Sequence, residues 1–157
     1  MTLHSTTRVP VDDEYAALVG KAVYVFAYYE WAIIYIVEFL RSGFVAEYSR
    51  GSPLTSGAVE KRFRAVIEDP VTSFSRVSKD DLLKCADRFR ELTVHRNALI
   101  HAHPCTDSDG TQILAYQTSP SKPLPDMKWP VSELKSIIST FDIAACDAGT
   151  ILDRFRP

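Results

Sequence analysis

The chain has little of what marks a specialised class of protein. Its 157 residues include only three cysteines, Cys85, Cys105 and Cys146, widely spaced and with no CxxC pair. An odd, scattered set fits a reducing, cytoplasmic setting better than a disulfide framework. Neither sign of charge is in excess: the formal net charge is −2 and the isoelectric point is about 6.1. A dedicated nucleic-acid binder carries a strong basic footprint, so any RNA site here must be a local patch. A Gly-rich phosphate loop, a GxSxG elbow and an HExxH pair are all absent. So are internal repeats, low-complexity tracts and a basic-then-apolar leader. What is present is a composition of 46% hydrophobic and 24% charged residues, ordinary for a soluble globular chain. One domain of this length can bury roughly 70% of its extended surface.

Residues 1–10 are polar and aperiodic and read as a loose tail, leaving residues 11–157 as one helical domain. Asp12, Asp13 and Glu14 open a long helix that should run to about Arg41, with Gly43 as its C′ residue. Val23 to Leu40 is apolar enough to raise the question of a membrane span. Glu30 and Glu38 inside it would each cost roughly 2.5–3.5 kcal/mol at a bilayer centre, so a buried helix and no membrane are expected. Val23, Phe26, Ala27, Ile33, Ile34, Val37 and Leu40 form its stripe, with Glu30 at the centre. Tyr24, Tyr28, Tyr29, Trp31 and Tyr35 leave little of the remainder polar. A helix apolar nearly all round needs cover on more than one side, which points to a partner subunit and a homodimer.

Ser49 to Gly57 reads as a loop, and Val59, Phe63, Val66 and Ile67 mark a short second helix ending before Pro70. Lys61, Arg62 and Arg64 on its outer side would either touch phosphates or form a solvated face. Residues from Pro70 to Val77 connect to a third helix. Later, Asp109-Gly110 signals a turn, Gln112 to Tyr116 a short strand, and Met127 to Trp129 a segment that could pair back with it. Four prolines between Ser119 and Pro130 imply an extended crossing. A final helix over about Val131 to Phe155 has Leu134, Ile137, Ile138, Phe141, Ala145, Ala148 and Leu152 inside. The expected fold is all-α: a four-helix up-down bundle with a short β-hairpin or extended insertion between helices three and four.

The third helix is the most informative. Ser78 caps it, Asp80 and Asp81 suit its dipole, and Pro104 should stop it near Ala102 or His103. Leu82, Cys85, Ala86, Phe89, Leu92, Thr93, Leu99 and Ile100 make its apolar stripe, and Arg96 falls in the middle. Each of the two most apolar helices therefore carries one charge in its stripe, of opposite sign. Glu30 and Arg96 are expected to face each other, the alternative being that Glu30 lies at a dimer interface or an edge. Asn97 and His101 form an i, i+4 pair that Arg96 can reach. Guanidinium, amide and imidazole would then converge on a site suited to a phosphate. Alternatively, His101 solvates the last carbonyls and Arg96 pairs within the core. His95, His101, His103 and Cys105 also crowd together, but no second ligand cluster exists, so neither metal nor cofactor is expected. Cys105 with His103 as a nucleophile lacks an orienting third group.

Arg96-Asn97 with His101 four residues after the asparagine, late in the third helix of a small helical chain, resembles the HEPN superfamily. The signature of that superfamily is Arg-x(4–6)-His, with a polar residue often following the Arg. The resemblance covers most of the chain in helix order, although the signature itself is two or three residues. It implies a homodimeric, metal-independent endoribonuclease of toxin or defence type, with RNA as substrate and an antitoxin or inhibitor as a possible partner. Arg96, Asn97 and His101 would be catalytic, supported by Glu30, His95 and His103, with Lys61, Arg62 and Arg64 as weaker substrate contacts. One HEPN subgroup has a Tyr two positions after the His, which a partner nucleotidyltransferase modifies; His103 stands there in this chain. Other HEPN proteins have lost activity, so the alternative is a silent dimer that binds a nucleotide or a protein.

Overall fold

The computed structural model describes residues 11–50, 54–117 and 126–156. The tail expected over residues 1–10, and residues 118–125 of the proline-rich crossing, lie outside them. The described part is mostly helical, with five helices and one three-stranded antiparallel sheet.

Helix α1 spans Asp13–Leu40, and the Asp12 carboxylate caps it by accepting the Tyr15 N–H at 3.0 Å. After Leu40 the chain turns through Gly43 at φ +95°, a left-handed conformation that favours glycine. A short helix that periodicity did not reveal follows, α2 over Phe44–Ser49. Its open N–H groups are met from the preceding helix: the Glu38 carboxylate accepts Gly43 N–H at 2.9 Å and Val45 N–H at 2.8 Å. Those two donors hold the Glu38 carboxyl below the usual carboxylate range. The expected loop from Ser49 to Gly57 is shorter than anticipated, because α3 begins at Ser56 and runs Ser56–Glu68 under a Thr55 cap.

Helix α4 spans Lys79–Ile100, with Ser78 Oγ accepting Asp81 N–H at 3.1 Å, as the sequence indicates. It stops slightly earlier than expected, with His101 as its C-cap. His103 already belongs to an edge strand, β1 over His103–Thr106, where the missing Pro104 N–H is tolerated. Strand β2 (Gln112–Tyr116) and β3 (Met127–Trp129) fall where their residues suggest, in the order β1-β2-β3. Helix α5, Val131–Asp153, buries all seven residues of its expected inner face.

The Tyr15 hydroxyl ties α1 to the sheet. It donates to the Trp129 carbonyl at 2.6 Å and accepts the Leu114 N–H at 2.8 Å, and Leu114 and Trp129 are opposite each other in the β2/β3 ladder. The starts of α1 and α5 are therefore adjacent. Near their ends Phe39 stacks on Phe155, at 5.7 Å between centroids. Thus α1 and α5 run in the same direction. Helix α4 runs against α5, because Asp81 near its start meets Arg154 just past the end of α5, at 3.5 Å. Strict up-down alternation would set the first and last long helices antiparallel, so that expectation is corrected. Because α4 runs against α5, the chain leaves α4 at the end where α5 begins, so its return along the bundle falls between α1 and α4.

Inside, Phe26 meets Phe141 at 5.0 Å and Phe89 at 6.0 Å, and Tyr29 meets Phe89 edge-on at 5.4 Å. The buried side of α1 is Ala22, Phe26, Tyr29, Ile33 and Ile36, extended by Ile34 and Val37. Val23 and Ala27, expected inside, are exposed. A helix with apolar residues on nearly every face gives periodicity no way to fix which side turns inward. By length and composition α1 could cross a membrane; here its inner face packs on α5, α3 and α4. The opposite side leaves Tyr24 74% and Tyr28 63% exposed, next to Trp31 and Tyr35.

Candidate functional site

The site lies at the C-terminal end of α4. Arg96 is half-buried, its guanidinium 5.8 Å from the centre of the Phe26 ring, and its Nη1 donates to Asn97 Oδ1 at 3.0 Å. Neighbours in sequence point about 100° apart on a helix, so this bond requires the arginine to reach sideways. The Asn97 carbonyl accepts the His101 N–H at 3.0 Å, which closes the last turn. The His101 side chain is exposed and makes no polar contact with Arg96 or Asn97.

Within one chain the expected Glu30–Arg96 ion pair does not form. Among the described residues no salt bridge reaches Arg96, and Glu30 Oε1 is buried without a hydrogen-bond partner. The two charges do share a neighbour. Burial raises the Tyr48 phenol, Glu30 raises it further and Arg96 lowers it. Tyr48 sits on α2, edge-on to Trp31 at 5.4 Å, so the unforeseen helix roofs this region. The physical reason for the missing pair lies in the rotation of α1, which puts Glu30 at the border of the buried face, where it is half-buried. Arg96 finds the Asn97 amide and the Phe26 ring instead.

The consequence is measurable. A buried carboxylate oxygen without a partner is a cost, and an amide is cheaper to desolvate. Glu30→Gln should therefore leave the melting temperature unchanged or raise it. Had an ion pair been present, removing one partner would have cost about 3–5 kcal/mol. Thermal unfolding of the variant distinguishes the two.

The supporting residues do not all converge here. His95 is half-buried and lines a cleft with Glu91, Lys128, Trp129 and Glu133, on the side where α4 meets β3 and α5. His103 is exposed on β1, opposite Ala115 in the ladder. Arg62 is held by Glu47 at 3.2 Å, and Arg64 by Glu60 at 3.0 Å and Asp87 at 2.9 Å. Among the described residues Lys61 has no carboxylate partner, unlike Arg62 and Arg64. That cluster is therefore mostly an ion-paired face rather than a free phosphate patch. Among the described residues no group of three or more His, Cys, Asp or Glu side chains could hold a metal ion. Sequence reasoning missed Tyr48, whose place depends on α2. No protein-family model, curated protein or solved structure matches this chain.

Proposed function

We propose that this chain is a metal-independent endoribonuclease of HEPN type, acting in the cytoplasm as a homodimer, with its long helices forming a HEPN-like four-helix bundle. One observation carries the reading. Arg96 is a half-buried guanidinium fixed by an amide and an aromatic ring, with no carboxylate neutralising it, five residues from an exposed imidazole. An arginine left without an anion at such a place suits a phosphate, because its planar fork can donate in parallel to two phosphate oxygens.

In this reaction the ribose 2′-oxygen attacks the adjacent phosphorus and the bond from phosphorus to the 5′-oxygen breaks. His101 accepts the 2′-hydroxyl proton as general base, or delivers a proton to the leaving 5′-oxygen as general acid. Arg96 stabilises the charge that grows on the equatorial oxygens, and Asn97 holds the guanidinium in position. A second His101 across a two-fold axis would supply the complementary acid–base role. The exposed aromatic side of α1 is the surface a second subunit would cover, and an antitoxin or inhibitor is the further partner this reading implies.

The test is incubation of chelator-treated protein with mixed RNA, with analysis of the product ends and sedimentation of the protein. Products ending in 2′,3′-cyclic phosphate and 5′-hydroxyl, from a dimer, are expected. Cleavage that stops with chelation, or leaves 5′-phosphate, would rule the chemistry out. The second reading is a silent dimer that binds a nucleotide or protein. Its specific support is the outward-facing His101 imidazole, which touches neither Arg96 nor Asn97.

A further inference from the structure

A second cavity, remote from Arg96 and His101, lies between the first half of α4 and the last half of α5. It holds about 310 Å³ and is lined by Tyr29 and Cys85, by Ala144 and Ile151, and by the charged Arg88 and Asp147 among others. Tyr29 is only 1% exposed, yet its hydroxyl has no hydrogen-bond partner. The hydroxyl is open to the cavity, where it can hydrogen-bond to a bound group. The Tyr29 and Cys85 protons are both held firmly: burial raises the phenol, and burial followed by Asp147 raises the thiol to about 12. Both groups are therefore neutral at the cavity floor. Asp147 and Arg88 are each close enough to act on the Tyr29 phenol.

The charges around the cavity are unevenly committed. Lys84 is paired with Asp80 at 2.6 Å, and Arg154 with Asp81 at 3.5 Å. Arg88 uses one nitrogen for Glu91 at 2.8 Å, which leaves other N–H donors of its fork free. Asp147 has no ion-pair partner among the described residues. The cavity thus offers a neutral hydroxyl at its base, with a carboxylate and a guanidinium with spare donors at its solvent-facing rim, beside the apolar Ala144 and Ile151.

We propose that this cavity binds a small zwitterion, an α-amino acid with an aliphatic side chain. Its ammonium would face Asp147, its carboxylate would take the Tyr29 hydroxyl and the spare Arg88 donors, and its side chain would lie against Ala144 and Ile151. A simple amine would leave the Arg88 donors unused. A simple carboxylic acid would meet Asp147 with like charge.

Calorimetric titration of the full chain tests this with three probes: L-leucine, 4-methylpentanoate, which lacks the ammonium, and 3-methylbutylamine, which lacks the carboxylate. L-Leucine should bind with a stoichiometry of one per chain, and each half-analogue at least about tenfold more weakly. Tyr29→Phe keeps the ring packing and removes only the hydroxyl, while Asp147→Asn is a surface change. Both should retain the wild-type melting temperature and weaken L-leucine by about tenfold or more. His101→Ala should bind L-leucine as wild type does, so the outcome is independent of the ribonuclease reading. Absence of binding by L-leucine at millimolar concentration, equal binding of the amine, or full affinity in both variants would overturn the proposal.

Discussion

Arg96→Ala is expected to lower RNA cleavage by about 10²–10³-fold, the scale of losing one preorganised donor to a charged transition state. The same change should hardly affect folding. Arg96 strands no ion-pair partner when it is removed, since no carboxylate lies within salt-bridge distance. What it gives up is a cation–ring contact with Phe26 at 5.8 Å, worth about 0.5–1 kcal/mol, and some packing of its aliphatic stem. Arg96→Lys keeps the charge but not the planar fork that holds Asn97 and could grip two phosphate oxygens, so it should remain impaired. Cleavage assays beside denaturant unfolding check both halves. A variant that loses activity only because it unfolds would remove Arg96 from the proposed machinery.

Phe26→Ala should produce the largest loss of stability in the molecule, about 3–5 kcal/mol. Its ring is buried and touches Phe89 on α4 and Phe141 on α5, so it joins three helices at once. Truncation leaves a cavity that rigid aromatic neighbours cannot fill by small shifts. Domains of this kind have a total stability of roughly 5–15 kcal/mol, so the variant should unfold at a much lower denaturant midpoint. Because the same ring lies under the Arg96 guanidinium, residual folded protein should also cleave more slowly. A midpoint shift equivalent to less than about 1 kcal/mol would mean that the three helices do not depend on this contact.

Where a local signal existed, the sequence was a good guide to the fold. Ser78 with Asp80 and Asp81 locates the start of α4, Pro104 comes just past its end, and the inner face of α5 follows from its spacing alone. The strand β2 shows as a short apolar run after the turn at Gly110, which has φ +87°, and β3 as the alternation Met127-Lys128-Trp129. Three features were not legible. Helix α2 is six residues long, and its N–H groups are satisfied by Glu38 from another helix rather than by a residue at its own start. Strand β1 contains Pro104, which argues against a strand until its edge position is known. The rotation of α1 was hidden because Val23 and Ala27 are as apolar as the residues that are buried. That rotation is also why the Glu30–Arg96 pair failed, and why the remaining site could be read only in part. Arg96, Asn97 and His101 are close along one helix by spacing alone, whereas His95 and the α3 cations have their own neighbours elsewhere.

The most direct measurement is the RNA cleavage rate of wild-type protein against His101→Ala, both freed of divalent metal by excess chelator and both shown to melt at the same temperature. The imidazole is exposed and its side chain makes no hydrogen bond or ion pair among the described residues, so the substitution should leave the fold unchanged. Loss of a positioned general acid or base should lower the rate by about 10²–10⁴-fold, and that is the predicted result. Equal rates for the two proteins, or no cleavage by the wild type, would contradict the account and leave the Arg96 site to a binding role.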